Sequence, residues 1–240
     1  MTTMTSRATE GWDQLRTALL DRRPTNPDEE QSVVRRRRIV VIVFLVFGAV
    51  FLALSLSSKP GDSIFYVYTL ALAGVWVVGA ALSRPLHLGR VTWRGHKRRP
   101  VLTGLGVGVA LGLFFVLGGL VVRQIPPIRD LIAGVFEYAT AGNLALVVAI
   151  ALVNGIAEEL FFRGALYSAL GKYYPVVYST IIYIVVTLAS GNPMLGFAAI
   201  LLGLVCALER RATGGVLAPM LTHVAWTAII LLALPPLFGV

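Results

Sequence analysis

The stretch "NGIAEELFFRGAL", Asn154 to Leu166, places two glutamates and an arginine inside one of the most apolar parts of the chain. A charged carboxylate at mid-bilayer costs at least about 2.5 to 3.5 kcal/mol on insertion scales, so an adjacent pair has to be compensated. Helical spacing supplies part of that compensation. Glu159 precedes Arg163 by four residues, acid first, the favourable order for an ion pair on one helix face. Glu158 lies about 100° further round the helix and shares its face with Asn154, Phe161 and Phe162. One carboxylate therefore has a cation on its own helix and the other has none. Two carboxylates in unlike environments are what a general acid/base beside a structural ion pair requires. The competing reading is a salt bridge that only holds helices together. For ionisable groups inside a membrane the functional reading is the default.

The elements that must position these groups follow from composition. The chain has 240 residues, 57% hydrophobic and 14% charged, with a mean hydropathy of +0.79. That composition belongs to an all-α polytopic membrane bundle, not a water-soluble domain. The single cysteine, Cys206, sits in an apolar run, which excludes a disulfide framework and a cysteine-based zinc site. The net charge of +9 is concentrated beside apolar spans. This is the pattern of contact with anionic lipid, so the bilayer is the expected partner and nucleic acid is not.

A helix needs roughly 20 apolar residues to cross the hydrocarbon core. Candidate spans run from Ile39 to Leu56, Ile64 to Leu82, Val101 to Val122, and Leu144 into the glutamates. Three more follow at Pro175 to Ala189, Met194 to Leu208, and Val216 to about Leu237. The fifth and sixth are short, a length suited to helices enclosed by a bundle. Ile128 to Tyr138 reads as a surface or re-entrant helix. Residues 1–38 form a polar and basic N-terminal segment, in which "EGWDQLRTALL" has the spacing of an amphipathic surface helix. The chain thus divides into 1–38, three N-terminal spans over 39–122, and a core over 123–240. With about seven transmembrane helices and the N-terminus in the cytoplasm, 18 of the 21 Lys and Arg residues fall on the inner side. A plasma-membrane, multi-pass location is expected. Gly106/Ala110 and Gly108/Gly112 in the third span have the small-xxx-small spacing of close helix packing.

"EELFFR" fits E-E-x-x-x-R and, with the glycine that follows, resembles the first motif of the CPBP family of intramembrane proteases. These are the type II CAAX prenyl endopeptidases and bacteriocin-processing proteins. The resemblance covers about Leu144 to Trp226. "GLVCALERRATGGVLAPMLTHVAWT" is similar to the context of the family's third motif, H-x-x-x-N, with His223 as its histidine and Thr227 in the Asn position. For the second motif, F-x-x-x-H, the match is "YIVVT", with Tyr183 as the aromatic and Thr187 where the histidine stands. His87 and His96, the remaining histidines, lie in the basic loop between spans two and three.

The resemblance implies an endopeptidase that cuts a membrane-associated peptide or protein with glutamate-activated water. Glu158 would be the base, Arg163 would hold Glu159, and His223 would complete the site. Asn154, Tyr183, Thr187 and Thr227 would line it. It also implies zinc or another divalent metal on Glu158 and His223, although threonine is a poor zinc ligand and a catalytic zinc takes three protein ligands. A metal-free site with His223 as oxyanion donor is the other possibility. The missing motif groups equally suit a pseudoprotease that binds membrane partners without cutting them. A proton-relaying transporter is less well matched, since no internal repeat is evident.

Overall fold

In hydrocarbon a backbone has only itself to bond to, so each apolar run between the glycine- and proline-bearing turns folds as a helix. The structure is a computed structural model, and it describes residues 31–83, 86–93, 96–171 and 173–240. Its helices are α1 (Gln31–Ser57), α2 (Ser63–Leu82), α3 (Val101–Val122), α4 (Pro126–Thr140), α5 (Leu144–Leu170), α6 (Pro175–Leu188), α7 (Pro193–Thr213) and α8 (Leu217–Phe238). Six of them, all but α4 and α6, are long and apolar enough to cross a membrane. The "EGWDQLRTALL" segment lies outside the described residues. The chain is a polytopic helical membrane protein.

Several boundaries differ from the sequence reading. The first helix starts at Gln31 and takes the basic run Arg35 to Arg38 into its first turns. There Arg37 Nε donates to the Ser83 carbonyl at 3.2 Å, and Arg38 Nε to that of Ala169 at 3.2 Å. The sixth apolar run does not stop at Leu208: α7 continues to Thr213 and buries Glu209 and Arg210. Hydropathy falls where these charges begin, but backbone bonding and side-chain burial do not. Helix α6 is short, as read, at 14 residues. It is not enclosed, however, because Tyr178, Ile181, Val185 and Leu188 form an exposed outer face. The basic loop also contains a two-stranded antiparallel ribbon, Val91–Trp93 paired with His96–Arg98, which the sequence reading missed.

Close packing rests on glycine. In α3, Gly104, Gly108 and Gly112 face α8: a Cβ on Gly104 would stand 2.6 Å from the Ala218 carbonyl oxygen, and one on Gly108 2.5 Å from that of Thr222. Thr222 returns the contact with a 2.9 Å hydrogen bond to the Gly104 carbonyl. The Gly108/Gly112 pair therefore packs as its spacing suggested, whereas Gly106 and Ala110 are exposed. The indole of Trp76 in α2 fills the space opposite Gly48 of α1 and stacks on Phe161 and Phe162 at 4.6 and 5.1 Å between ring centroids. The aromatic pair of the glutamate motif is thus core, not site surface.

The two ends of the bundle are distinct. At one end, the Tyr138 hydroxyl of α4 lies 2.7 Å from the carbonyls of both Leu56 and Ser58, which share its one proton, and Asn192 donates to Leu131. Helix α4 lies across this end and buries Phe136 against Ile230, Leu234 and Phe238 of α8. At the other end, residues 86–90 run along the α7–α8 turn through the bonds Arg90 N to Thr213 O, Val216 N to His87 O and Leu217 N to Leu88 O.

Gly108→Leu is expected to lower the thermal stability of the detergent-solubilised protein by an amount typical of overpacking, about 1–3 kcal/mol. Gly106→Leu, at a position with nothing within 4 Å, leaves the melting temperature unchanged.

Candidate functional site

The motif helix α5 changes character at the glutamates. From Leu160 to Leu166 its backbone is a π-helix, a local widening that recurs at functional sites. Arg163 and Glu159 straddle the junction. Both are fully buried, and Arg163 Nη1 donates to Glu159 Oε1 at 2.9 Å.

The other terminal nitrogen of the guanidinium is held by a second helix. Arg163 Nη2 donates to the Gly203 carbonyl of α7 at 2.9 Å, and the charged carbon lies 4.7 Å from the ring centre of Tyr183 in α6. Gly203 is needed for this approach. A Cβ there would stand 3.0 Å from the Tyr183 ring and 3.5 Å from Arg163 Nη2. Arg210 of α7 in turn donates from Nε to the Arg163 carbonyl at 2.7 Å. The ion pair read from spacing alone thus anchors three helices.

His223 enters from the second turn of α8, nearly buried at 6% exposure. Its Nδ1 lies 3.0 Å from the same Oε1 of Glu159 that Arg163 holds. A carboxylate only accepts, so Nδ1 carries the proton and Nε2 faces away from this pair. The ring can lie this close because α5 has Gly155 opposite it, where a Cβ would be 3.0 Å from His223 Cδ2. Glu158 is half-buried and takes a different partner: Tyr183 Oη donates to its Oε2 at 2.8 Å. It remains within coulombic range of His223. The two adjacent carboxylates do occupy unlike settings, one between two cation-forming groups and one beside a phenol.

The other expected lining residues separate. Asn154 is spent on structure, its Nδ2 donating to the Thr69 carbonyl of α2 at 3.0 Å and to Ile150 at 3.1 Å. The Thr187 hydroxyl donates back to the Tyr183 carbonyl at 2.8 Å, so it supports its own helix. Thr227 is buried one turn beyond His223 on α8. The sequence reading placed Tyr183 among the lining residues as the motif aromatic but gave its hydroxyl no role, and it left out Gly155, Gly203 and the Arg210 contact. Tyrosine where the motif has phenylalanine was the one available signal for its hydroxyl.

The implied divalent metal does not fit this donor set. Among the described residues no group of three or more His, Cys, Asp or Glu side chains could hold a metal ion. The one site histidine points Nδ1 at Glu159, the carboxylate that Arg163 already holds. Thr187, in the second-motif position, turns its oxygen to the backbone.

Arg163→Met is expected to destabilise the protein by about 3–5 kcal/mol, because it leaves a buried carboxylate short of its main counter-charge. The double variant Glu159→Gln/Arg163→Met should be more stable than the single one in thermal unfolding.

No curated protein and no solved structure matches this chain. Residues 140–229 match the family model described as "Type II CAAX prenyl endopeptidase Rce1-like", a range that holds α5 to α7, the first half of α8 and every residue of the site above. Over that range this membrane protein is similar to the Rce1-like type II CAAX prenyl endopeptidases.

Proposed function

We propose that the chain is an intramembrane endopeptidase that cleaves a membrane-associated peptide or protein, with Glu158 as the general base. It would work from the plasma membrane, with its N-terminus on the cytoplasmic side. The observation that carries this reading is the contrast between the two glutamates. Glu159 is neutralised by Arg163 and bonded to His223, while Glu158 is half-buried and bonded to a neutral phenol. Only the second is free to take and return a proton.

The chemistry then follows from the groups present. With Tyr183 on Oε2, the Oε1 of Glu158 accepts a proton from water as the water oxygen bonds to the scissile carbonyl carbon. Charge develops on the carbonyl oxygen. His223, oriented through Nδ1 by Glu159, donates from Nε2 to that oxygen when the imidazole is doubly protonated. The C–N bond breaks as the Glu158 carboxyl passes its proton to the leaving nitrogen, which restores the carboxylate. No step is routed through a metal, since the donor set does not suit one. The family match implies a peptide substrate. A prenylated CAAX peptide is one candidate.

One observation favours a second reading. Thr187 gives its hydroxyl to the backbone, so the second-motif position contributes no polar group to the site. A chain with this defect could bind membrane peptides without cutting them.

Processing of a fluorogenic, membrane-anchored peptide by protein reconstituted in vesicles separates the two. Glu158→Gln is expected to cut turnover by about 10²–10⁴-fold, the usual contribution of a general base. Equal, negligible turnover by both forms, with peptide binding retained, would establish the non-cutting reading. Tyr183→Phe removes a hydrogen bond to a charged acceptor and is expected to lower kcat by about 10-fold or more with KM little changed.

A further inference from the structure

The loop between α2 and α3 was read above as one of the basic segments that mark orientation and meet anionic lipid in general, but its placement makes it more specific. Residues 86–90 form a strap bonded to the α7–α8 turn by three backbone hydrogen bonds of 2.8–3.1 Å. The contact is close: Gly89, at φ +82°, and Gly215 approach so nearly that neither could carry a Cβ. Between strap and turn lies an open cavity of about 540 Å³, whose lining includes His87, Arg90, Arg99, Thr213 and Gly214. That volume falls in the range of small-molecule sites, about 300–1,000 Å³. Among the described residues the lining holds two guanidinium groups and an imidazole but no acid, and "SRPLHLGRVTWRGHKRRP" contains no Asp or Glu. Arg99 is oriented, its Nη1 donating to the Gly89 carbonyl at 3.1 Å.

We infer that this cavity binds the phosphodiester headgroup of an anionic phospholipid. Guanidinium groups are the preferred donors for phosphate oxygens, and the lining supplies two. The depth fits as well. The cavity lies level with the end of α2 at Leu82, the start of α3 at Val101, the end of α7 at Thr213 and the start of α8 at Leu217. That is where headgroups meet a bundle, whichever face it is. The site also touches the motif helix: Leu86 packs over Gly164, where a Cβ would stand 2.5 Å from Leu86 Cδ2. A bound headgroup would thereby steady the strap against the residue next to Arg163. This inference does not depend on whether the chain cuts peptides.

The test is retention of phosphatidylglycerol over phosphatidylcholine by the full-length protein, measured by native mass spectrometry after exchange in mixed micelles. The native protein is expected to prefer phosphatidylglycerol, and Arg90→Gln/Arg99→Gln to lose about tenfold of that preference. Arg90→Gln alone should show a smaller loss with the fold intact, because only the Arg90 backbone bonds to the turn. Lys97→Gln/Arg98→Gln removes the same charge from exposed positions outside the cavity lining and should change little. An equal loss in that control would overturn the site in favour of diffuse attraction. Competition by glycerol 3-phosphate as strong as that by the lipid would also overturn it, pointing to a free phosphate ligand. Displacement of the lipid by a peptide with a free C-terminal carboxylate, but not by its amide, would assign the cavity to a peptide end instead.

Discussion

A full negative charge at Glu159, with no exposure to solvent, is the constraint around which this bundle is organised. Its Oε1 takes both Arg163 and His223, so the charge is shared between a guanidinium on its own helix and an imidazole from α8. Arg163 is fully buried as well: α7 offers its Nη2 the Gly203 carbonyl and α6 offers the face of Tyr183, while its Nε has no hydrogen-bond partner among the described residues. Removing any of these partners leaves a charge in a low-dielectric interior, where isolated ions are very costly. The mutual dependence of α5, α6, α7 and α8 follows from that one carboxylate.

Glycine makes the arrangement geometrically possible. Lipid exerts no hydrophobic force between helices, so association relies on close contact and on polar bonds across the interface. Gly104, Gly108 and Gly112 seat α3 on α8, Gly155 admits the His223 ring, and Gly203 admits Tyr183 and Arg163. The π-helical turn adds a local adjustment that places Arg163 beneath Arg210. The arrangement leaves Glu158 as the carboxylate outside the ion pair, beside Tyr183. The strap touches the motif helix as well, through Leu86 over Gly164.

Much of the architecture was legible because hydropathy and turn residues act locally. The long apolar helices, the short α6 and the surface helix α4 all stand near their expected places. The ends of α1 and α7 were not, since helices continue through charged residues when other helices bury or bond them, as with Arg37, Glu209 and Arg210. The small-residue stripe of α3 was visible, but which of two overlapping pairs faced a neighbour was not. Both have the same spacing, and only α8 distinguishes them. At the site, the Glu159–Arg163 pair could be read because it lies within one helix. The bonds of Glu158 to Tyr183, and of His223 to Glu159, span 25 and 64 residues.

The sequence by itself determined the solvent this protein lives in, its helical class and the acid–cation pair of one turn, because each depends on neighbours within a few residues. Tertiary structure decided which carboxylate the imidazole would meet, that a phenol would take the other, that Thr187 would turn away, and that a basic loop would close over the α7–α8 turn. Those outcomes depend on the distances and crossings of separate helices, and no pattern along one strand of chain encodes where another helix will present its glycine.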